Sequence, residues 1–381
     1  MSVETAVPIT ADRNLPADVY GQIAEALEAS GVVDYLQAWD QLTSWYPPGL
    51  WRPENTPMAS VLPDVDSFPD VWAMTAYGAA RAPKLGIALS TDSIRKGPAE
   101  MAQSAMTLAN ITRGKVTIHI GAGEIKQHKP FGWKRSEGLR RLEDQFKAFD
   151  LLWSSDEPVD FKGNFTTFDR AWLGKAKNHR PRLWALGGGP KLIDIGSTYA
   201  DGFATMAPFI SPTPEHWARM VGNMKEQLKA KGRDPGSFDF GVYGAVLLHE
   251  DAAVIDRALD NVLLRWVTAI FGRINQSDWL SEGFEPPFPP DWHYGMKLLP
   301  TRITDGEIRN ALSKVSRPMS EKTWLYGTPK KVAADLQAYV DAGATWVSVI
   351  DILPTVLEPE DAQRALGRTL EVCRLLKQAN R

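Results

Sequence analysis

Cysteine occurs once in 381 residues, as Cys373. A single thiol forms no internal disulfide and excludes cysteine-rich zinc and iron–sulfur sites. No apolar run approaches the roughly 18–20 residues that cross a bilayer, and the opening MSVETAVPITADRNLP lacks a basic-then-apolar leader. Basic excess is also missing. The 43 Lys and Arg face 46 Asp and Glu, leaving a formal charge of −3 and weighing against a general nucleic-acid binder. The six histidines (119, 128, 179, 216, 249 and 293) show neither H-E-x-x-H nor H-x-H spacing, so no metal is expected, and no G-x-S-x-G serine elbow occurs. What is left, 44% hydrophobic and 23% charged, is the make-up of a soluble globular protein, with the cytoplasm as its expected compartment.

Tryptophan is plentiful: 14 residues against 9 Tyr, many of them within 39–72 and 266–324. Such clustering reads either as a large core or as an apolar cleft lined by indole and phenyl rings. Elsewhere short apolar runs alternate with amphipathic stretches. Strands are predicted near 3–11 and at 32–39, 85–90, 115–123, 182–189, 201–207, 238–249 and 345–351. Helices are predicted at 17–30, 98–112, 136–153, 190–200, 213–231, about 251–271, 329–343 and 358–379. Alternation of this kind implies a parallel sheet, and eight units suit a closed (β/α)8 TIM barrel better than an open doubly wound sheet. The chain is therefore expected to be one α/β barrel domain over 1–381. Two inserts break the pattern: 41–70, with six prolines after strand 2, and 272–326, with EPPFPPDW before strand 8. The first falls at the C-terminal rim, where barrel active sites sit. The second could equally form a homodimer interface.

Three constellations could carry chemistry. GAGE (Gly121, Ala122, Gly123, Glu124) follows a strand, so its carboxylate would project into a barrel mouth, or be a solvated turn residue. GGGP puts Gly187, Gly188 and Gly189 just before a helix, where bare N–H groups and the helix dipole bind phosphate; a tight turn would also use some of these glycines. WDQLTSW ends the second strand. There Asp40 and Gln41 offer an acceptor and an amide, and Trp45 could cover a planar cofactor, unless Asp40 merely caps the loop. His128 lies close after Glu124 and reads as a solvated loop histidine.

These residues resemble the bacterial luciferase-like superfamily, and within it the branch that uses the deazaflavin coenzyme F420. The elements occur in the family's order: WDQ-(x)3-W, LGIALST (85–91), RKGPAEMAQ (95–103), TLANITRGKVTIHIGAGE (107–124), ALGGGP (185–190), ADGF (200–203) and GTPKKVAADLQAYVDAG (327–343). The long first insert and GEIKQHKPFGW (123–133) are most similar to ketoreductase-type members acting on phthiodiolone. The branch of sugar-phosphate dehydrogenases is also similar, but its histidine after the strand-2 aspartate is here Gln41. The resemblance implies F420, with flavin mononucleotide as the alternative cofactor, and hydride transfer to or from a small apolar ketone or alcohol. It implies Glu124 as proton donor or acceptor with its carboxyl buried against apolar rings, Gln41 and Trp45 beside the substrate, and Asp40 and Gly121–Gly123 at the ring. It further implies Gly187–Gly189 on the coenzyme phosphate and a non-proline cis peptide at Ala88–Leu89 behind the ring. A flavin-dependent monooxygenase and a non-catalytic flavin- or lipid-binding barrel are the competing readings.

Overall fold

Eight parallel strands close into a ring, and a short parallel strand, Leu325–Gly327, adds a third neighbour to the seventh. The eight are β1 (Glu4–Pro8), β2 (Tyr35–Trp39), β3 (Gly86–Asp92), β4 (Val116–Gly121), β5 (Arg182–Leu186), β6 (Gly202–Ala207), β7 (Asp239–Leu248) and β8 (Trp346–Asp351). The circle runs in order and is shut by β8 on β1, with Ala6 opposite Ser348. With a helix layer outside, this is the expected TIM barrel. The computed structural model describes residues 3–9 and 12–380, so positions 10 and 11 of the expected first strand lie outside the described residues.

Local chemistry sets the helix ends. Ala17–Ser30 stops at Gly31 (φ +64°), whose N–H reaches the Glu28 carbonyl. Pro98 opens Pro98–Ile111, and Thr213 caps Pro214–Ala230 by accepting from the His216 N–H. Strand side chains alternate. Leu36, Ile87, Leu89, Ile118 and Val347 face the helices in one core, while Ala6, Tyr35, Ala88, Trp184, Ala204, Tyr243 and Trp346 fill the barrel. A polar chain crosses that interior: Ser90 Oγ is 2.7 Å from Tyr243 Oη, Tyr243 bonds His119 Nδ1, and His119 Nε2 is 3.1 Å from Thr117 Oγ1. Burial pushes His119 down to about 3, so its ring is neutral, stacked on Trp184 at 4.5 Å.

Several expectations are corrected. The stretch 251–271 is two helices, Ala252–Asp260 and Val262–Phe271, because Asn261 leaves helical geometry and caps the second through the Leu263 N–H. The final helix likewise divides into Pro359–Ala362 and Ala365–Ala379. A hairpin, Val159–Lys162 with Thr167–Ala171, was absent from the sequence reading; its strands are short and half exposed. The Ala88–Leu89 peptide is not cis. The cis bond among the described residues is Ala207–Pro208, and β3 keeps its register with both neighbours through 88 and 89.

The two inserts share one structure. Segment 272–326 is mostly short helices (Gln276–Ser281, Tyr294–Lys297, Asp305–Lys314, Arg317–Thr323), while 41–70 holds a single 3-10 turn, Pro57–Ser60. Tyr46 and Leu50 of the first pack with Leu298 and Trp324 of the second and with Trp266, Ile270 and Phe271 in a separate apolar core. Trp266 Nε1 donates to the Trp45 carbonyl at 2.9 Å, and Asn261 Nδ2 to the Asn55 carbonyl at 2.9 Å. Of the eight clustered tryptophans, Trp72, Trp266, Trp279 and Trp324 are buried, and Trp39, Trp45, Trp51 and Trp292 are half-buried. Trp266 and Trp279 are wholly buried. Among the described residues, no helix is long and apolar enough to cross a membrane.

Candidate active site at the C-terminal rim

Asp40 leaves β2 with its N–H on the Ser90 carbonyl at 2.8 Å. Its carboxylate does not cap the following loop. It accepts from Thr91 Oγ1 (2.7 Å) and Trp72 Nε1 (3.4 Å) and pairs with Arg95 at 3.2 Å. Arg95 also bonds the Asp40 carbonyl and the carboxylate of Asp92, which ends β3, and Asp92 Oδ1 lies 3.0 Å from His128 Nε2. Burial alone would push Asp92 up, yet His128 and Arg95 together hold it far below the usual carboxylate range. His128 is thus fully buried beside Asp92, not a solvated loop residue.

From β4, Gly121 and Ala122 lead to Gly123 at φ +87°. A side chain is doubly barred there: a Cβ would stand 2.0 Å from His128 Cε1. Glu124 follows, at the start of the single turn Ile125–His128. Its carboxylate lies among cations rather than against apolar rings: Lys126 Nζ is 3.1 Å from its Oε2. Lys126 is buried completely, donates to the Thr43 carbonyl at 2.7 Å, and lies 5.5 Å from the Trp45 ring centre. Burial lowers the lysine and Glu124 opposes that fall. Beside it, Gln127 Oε1 accepts from the Leu42 and Thr43 N–H groups (2.7 and 3.2 Å) and Nε2 donates to the Thr43 carbonyl at 3.0 Å. Two adjacent side chains of the β4 exit therefore grip the β2 exit loop.

That loop carries Gln41, half-buried, and Trp45, whose ring meets Phe271 edge-on at 5.6 Å. Trp45 is accordingly anchored in the insert core while its Nε1 stays buried without a partner. From the second insert, Tyr294 comes near Glu124. Its hydroxyl is held well above the usual tyrosine value by burial first, then by the Glu124 carboxylate. Arg135 stands near the same carboxylate, its Nε buried and unpartnered, and burial lowers it.

β5 ends in the glycine turn. The Gly187 N–H is used by the Ala204 carbonyl (3.1 Å), and a Cβ at Gly188 would fall 2.4 Å from Ile210 Cγ2. Gly189 (φ −75°) precedes the ten-residue helix Pro190–Tyr199, which has no side-chain cap. Among the described residues the N–H groups of Gly188 and Gly189 thus remain open at a helix N-terminus, one strand over from Glu124. The rim gathers Asp40, Gln41, Trp45, Gly121–Glu124 and Gly187–Gly189. Ala88 and Leu89 are buried lower, inside β3.

The sequence reading missed Lys126, Gln127, Asp92, Arg95 and Tyr294. Arg95, Lys126 and Gln127 lie inside motifs quoted above and Asp92 directly follows one, but no role was assigned to them; Tyr294 comes from an insert with no readable period.

Residues 21–345 match the family model described as luciferase-like monooxygenase. The chain is 26% identical over 319 residues to the phthiodiolone/phenolphthiodiolone dimycocerosates ketoreductase of Mycobacterium kansasii, spanning 82% of this chain and 85% of that protein. It is 22% identical over 326 residues to the F420-dependent glucose-6-phosphate dehydrogenase of Kineococcus radiotolerans, spanning 84% and 82%. Among solved structures, an F420-dependent secondary alcohol dehydrogenase in complex with an F420-acetone adduct superposes with a TM-score of 0.72 over 99% of both chains at 18% identity.

Proposed function

Because the chain belongs to the luciferase-like monooxygenase family, we propose that it is an oxidoreductase that takes coenzyme F420 and moves a hydride between that coenzyme and an apolar ketone, alcohol or related unsaturated compound. The observation that carries this reading is the placement, on neighbouring strand ends of one rim, of a carboxylate on an ammonium and a turn of open backbone amides. The curated relatives matched over more than four fifths of their length, a ketoreductase and an F420-dependent dehydrogenase, support it.

The residues present fit such a coenzyme. Gly188 and Gly189 offer unclaimed donors to a phosphate, and the packing of Ile210 against Gly188 leaves no room for a side chain that would block them. Trp39, Leu186, Met206 and Ile352 give the mouth an apolar floor above Ala88, suited to a flat ring. Asp40 is spent on Arg95, Thr91 and Trp72, so its part is to fix the wall. When bound, reduced F420 supplies a hydride at carbon. Glu124 Oε holds or takes the proton that balances charge on the substrate oxygen, and the Lys126 ion pair fixes that carboxyl. Gln41, where the sugar-phosphate branch has histidine, donates an amide hydrogen bond to the oxygen but moves no proton. Trp45 shields the substrate from water.

The test is an absorbance and fluorescence titration with oxidised F420 and, separately, flavin mononucleotide, followed by turnover of reduced F420 with apolar ketones. Saturable F420 binding plus ketone-dependent oxidation is expected. Binding of flavin mononucleotide alone, with oxygen consumption, would establish the monooxygenase reading instead.

A further inference from the structure

Beside the Tyr294–Lys297 turn, and bordered by Lys297, lies a groove of about 680 Å³, a size that holds drug-sized ligands. Its floor is apolar: Phe288 and Trp292, stacked at 4.0 Å and 9°, with Leu298 and Ile303. Pro286, Pro287, Pro289 and Pro290 form one wall, their fixed φ angles making it a preformed surface. The rim is charged, and most of that charge is already spoken for. Lys297 pairs with Asp291 at 2.6 Å, Lys314 with Glu285 at 2.8 Å, and Glu307 closes a capping box on Thr304. Arg302 is the exception. Among the described residues its guanidinium has no hydrogen-bond or ion-pair partner, and the side-chain amide of Asn310, also on the rim, is equally uncommitted.

We propose that this groove is a second binding site, for a monocarboxylate with an extended apolar body. Charge complementarity selects the head group. Arg302 presents a planar fork suited to two carboxylate oxygens, with Asn310 as a further donor. The stacked rings and Leu298 select the tail, since an apolar chain laid on Trp292 leaves water while the head stays at the rim. The site is separate from the F420 site and does not depend on that reading: a chain that bound no deazaflavin would still take the acid.

Tryptophan fluorescence of the full-length protein, titrated with decanoate, 1-decanol and acetate, tests this, with Trp292 as the built-in reporter. Decanoate is expected to saturate at least tenfold more tightly than 1-decanol, and acetate to give no signal. Arg302→Ala should weaken decanoate about tenfold and leave 1-decanol unchanged, and Trp292→Phe should remove most of the signal while circular dichroism stays the same. Equal affinity for acid and alcohol, an Arg302→Ala protein that binds like wild type, or a signal that survives Trp292→Phe overturns the proposal. So does absence of binding with a change in sedimentation on Arg302→Ala, which would make the groove a contact between two copies of this chain.

Discussion

The ammonium of Lys126 lies 3.1 Å from the Glu124 carboxylate and 2.7 Å from the Thr43 carbonyl, with essentially none of the lysine exposed. One buried cation thereby ties the acid at the β4 exit to the loop at the β2 exit.

Replacing Lys126 by Met removes a charged hydrogen bond worth about 1.5–3 kcal/mol. Turnover should fall about ten- to a hundredfold, and the pH–rate profile should move, because Lys126 and Glu124 form one ion pair at the site. Steady-state kinetics between pH 5 and 9 reads both. A uniform loss with an unmoved profile would reduce Lys126 to a packing residue.

Glu124→Gln keeps size and hydrogen bonding but cannot pass a proton. Loss of about 100-fold or more in turnover is expected, with F420 affinity nearly intact. If instead affinity collapses while turnover persists, the carboxyl binds coenzyme and does no proton work.

Gly189 has φ −75°, within reach of a proline ring, and a Cβ there meets nothing within 4 Å. Gly189→Pro therefore deletes one open N–H while leaving the fold in place. F420 should bind roughly tenfold more weakly, with the melting temperature within a degree or two of wild type. Unchanged affinity would move the phosphate away from this turn.

Burial pushes Asp351 up to about 7, against the opposing pull of the Leu353 and Leu248 N–H groups and Arg368; its Oδ2 has no partner. The folded protein keeps this proton where the unfolded chain has lost it. From about pH 4 to 7 the folded state thus binds more protons, and stability falls as pH rises through that window. Asp351→Asn should cancel up to about 4 kcal/mol of that slope. Urea unfolding of both proteins at pH 5 and pH 8 provides the comparison: parallel losses in the two would show that Asp351 is not the group responsible.

The barrel was legible because each strand is a short apolar run between strong helix boundaries, such as the stop at Gly31 and the starts at Pro98 and Pro190. GAGE and GGGP were legible for the same reason, sitting where a strand ends. The insert 272–326 was not. Its helices are four to ten residues long, and a four-residue turn such as Tyr294–Lys297 is too short to display a 3.6-residue period. Lys126 escaped notice because a lysine between Ile125 and Gln127 reads as a solvated side chain; only the chain 83 residues earlier, folded over it, makes it a buried one. The cis bond expected at Ala88–Leu89 came from resemblance alone, with no local residue demanding it, and β3 runs through unbroken.

The Trp266–Trp45 hydrogen bond joins positions 221 residues apart. The loop bearing Gln41 is therefore moored to an aromatic lobe as well as to its own strand. Such a mooring gives the entrance no free hinge, so traffic into and out of the mouth proceeds at the pace at which the lobe as a whole breathes.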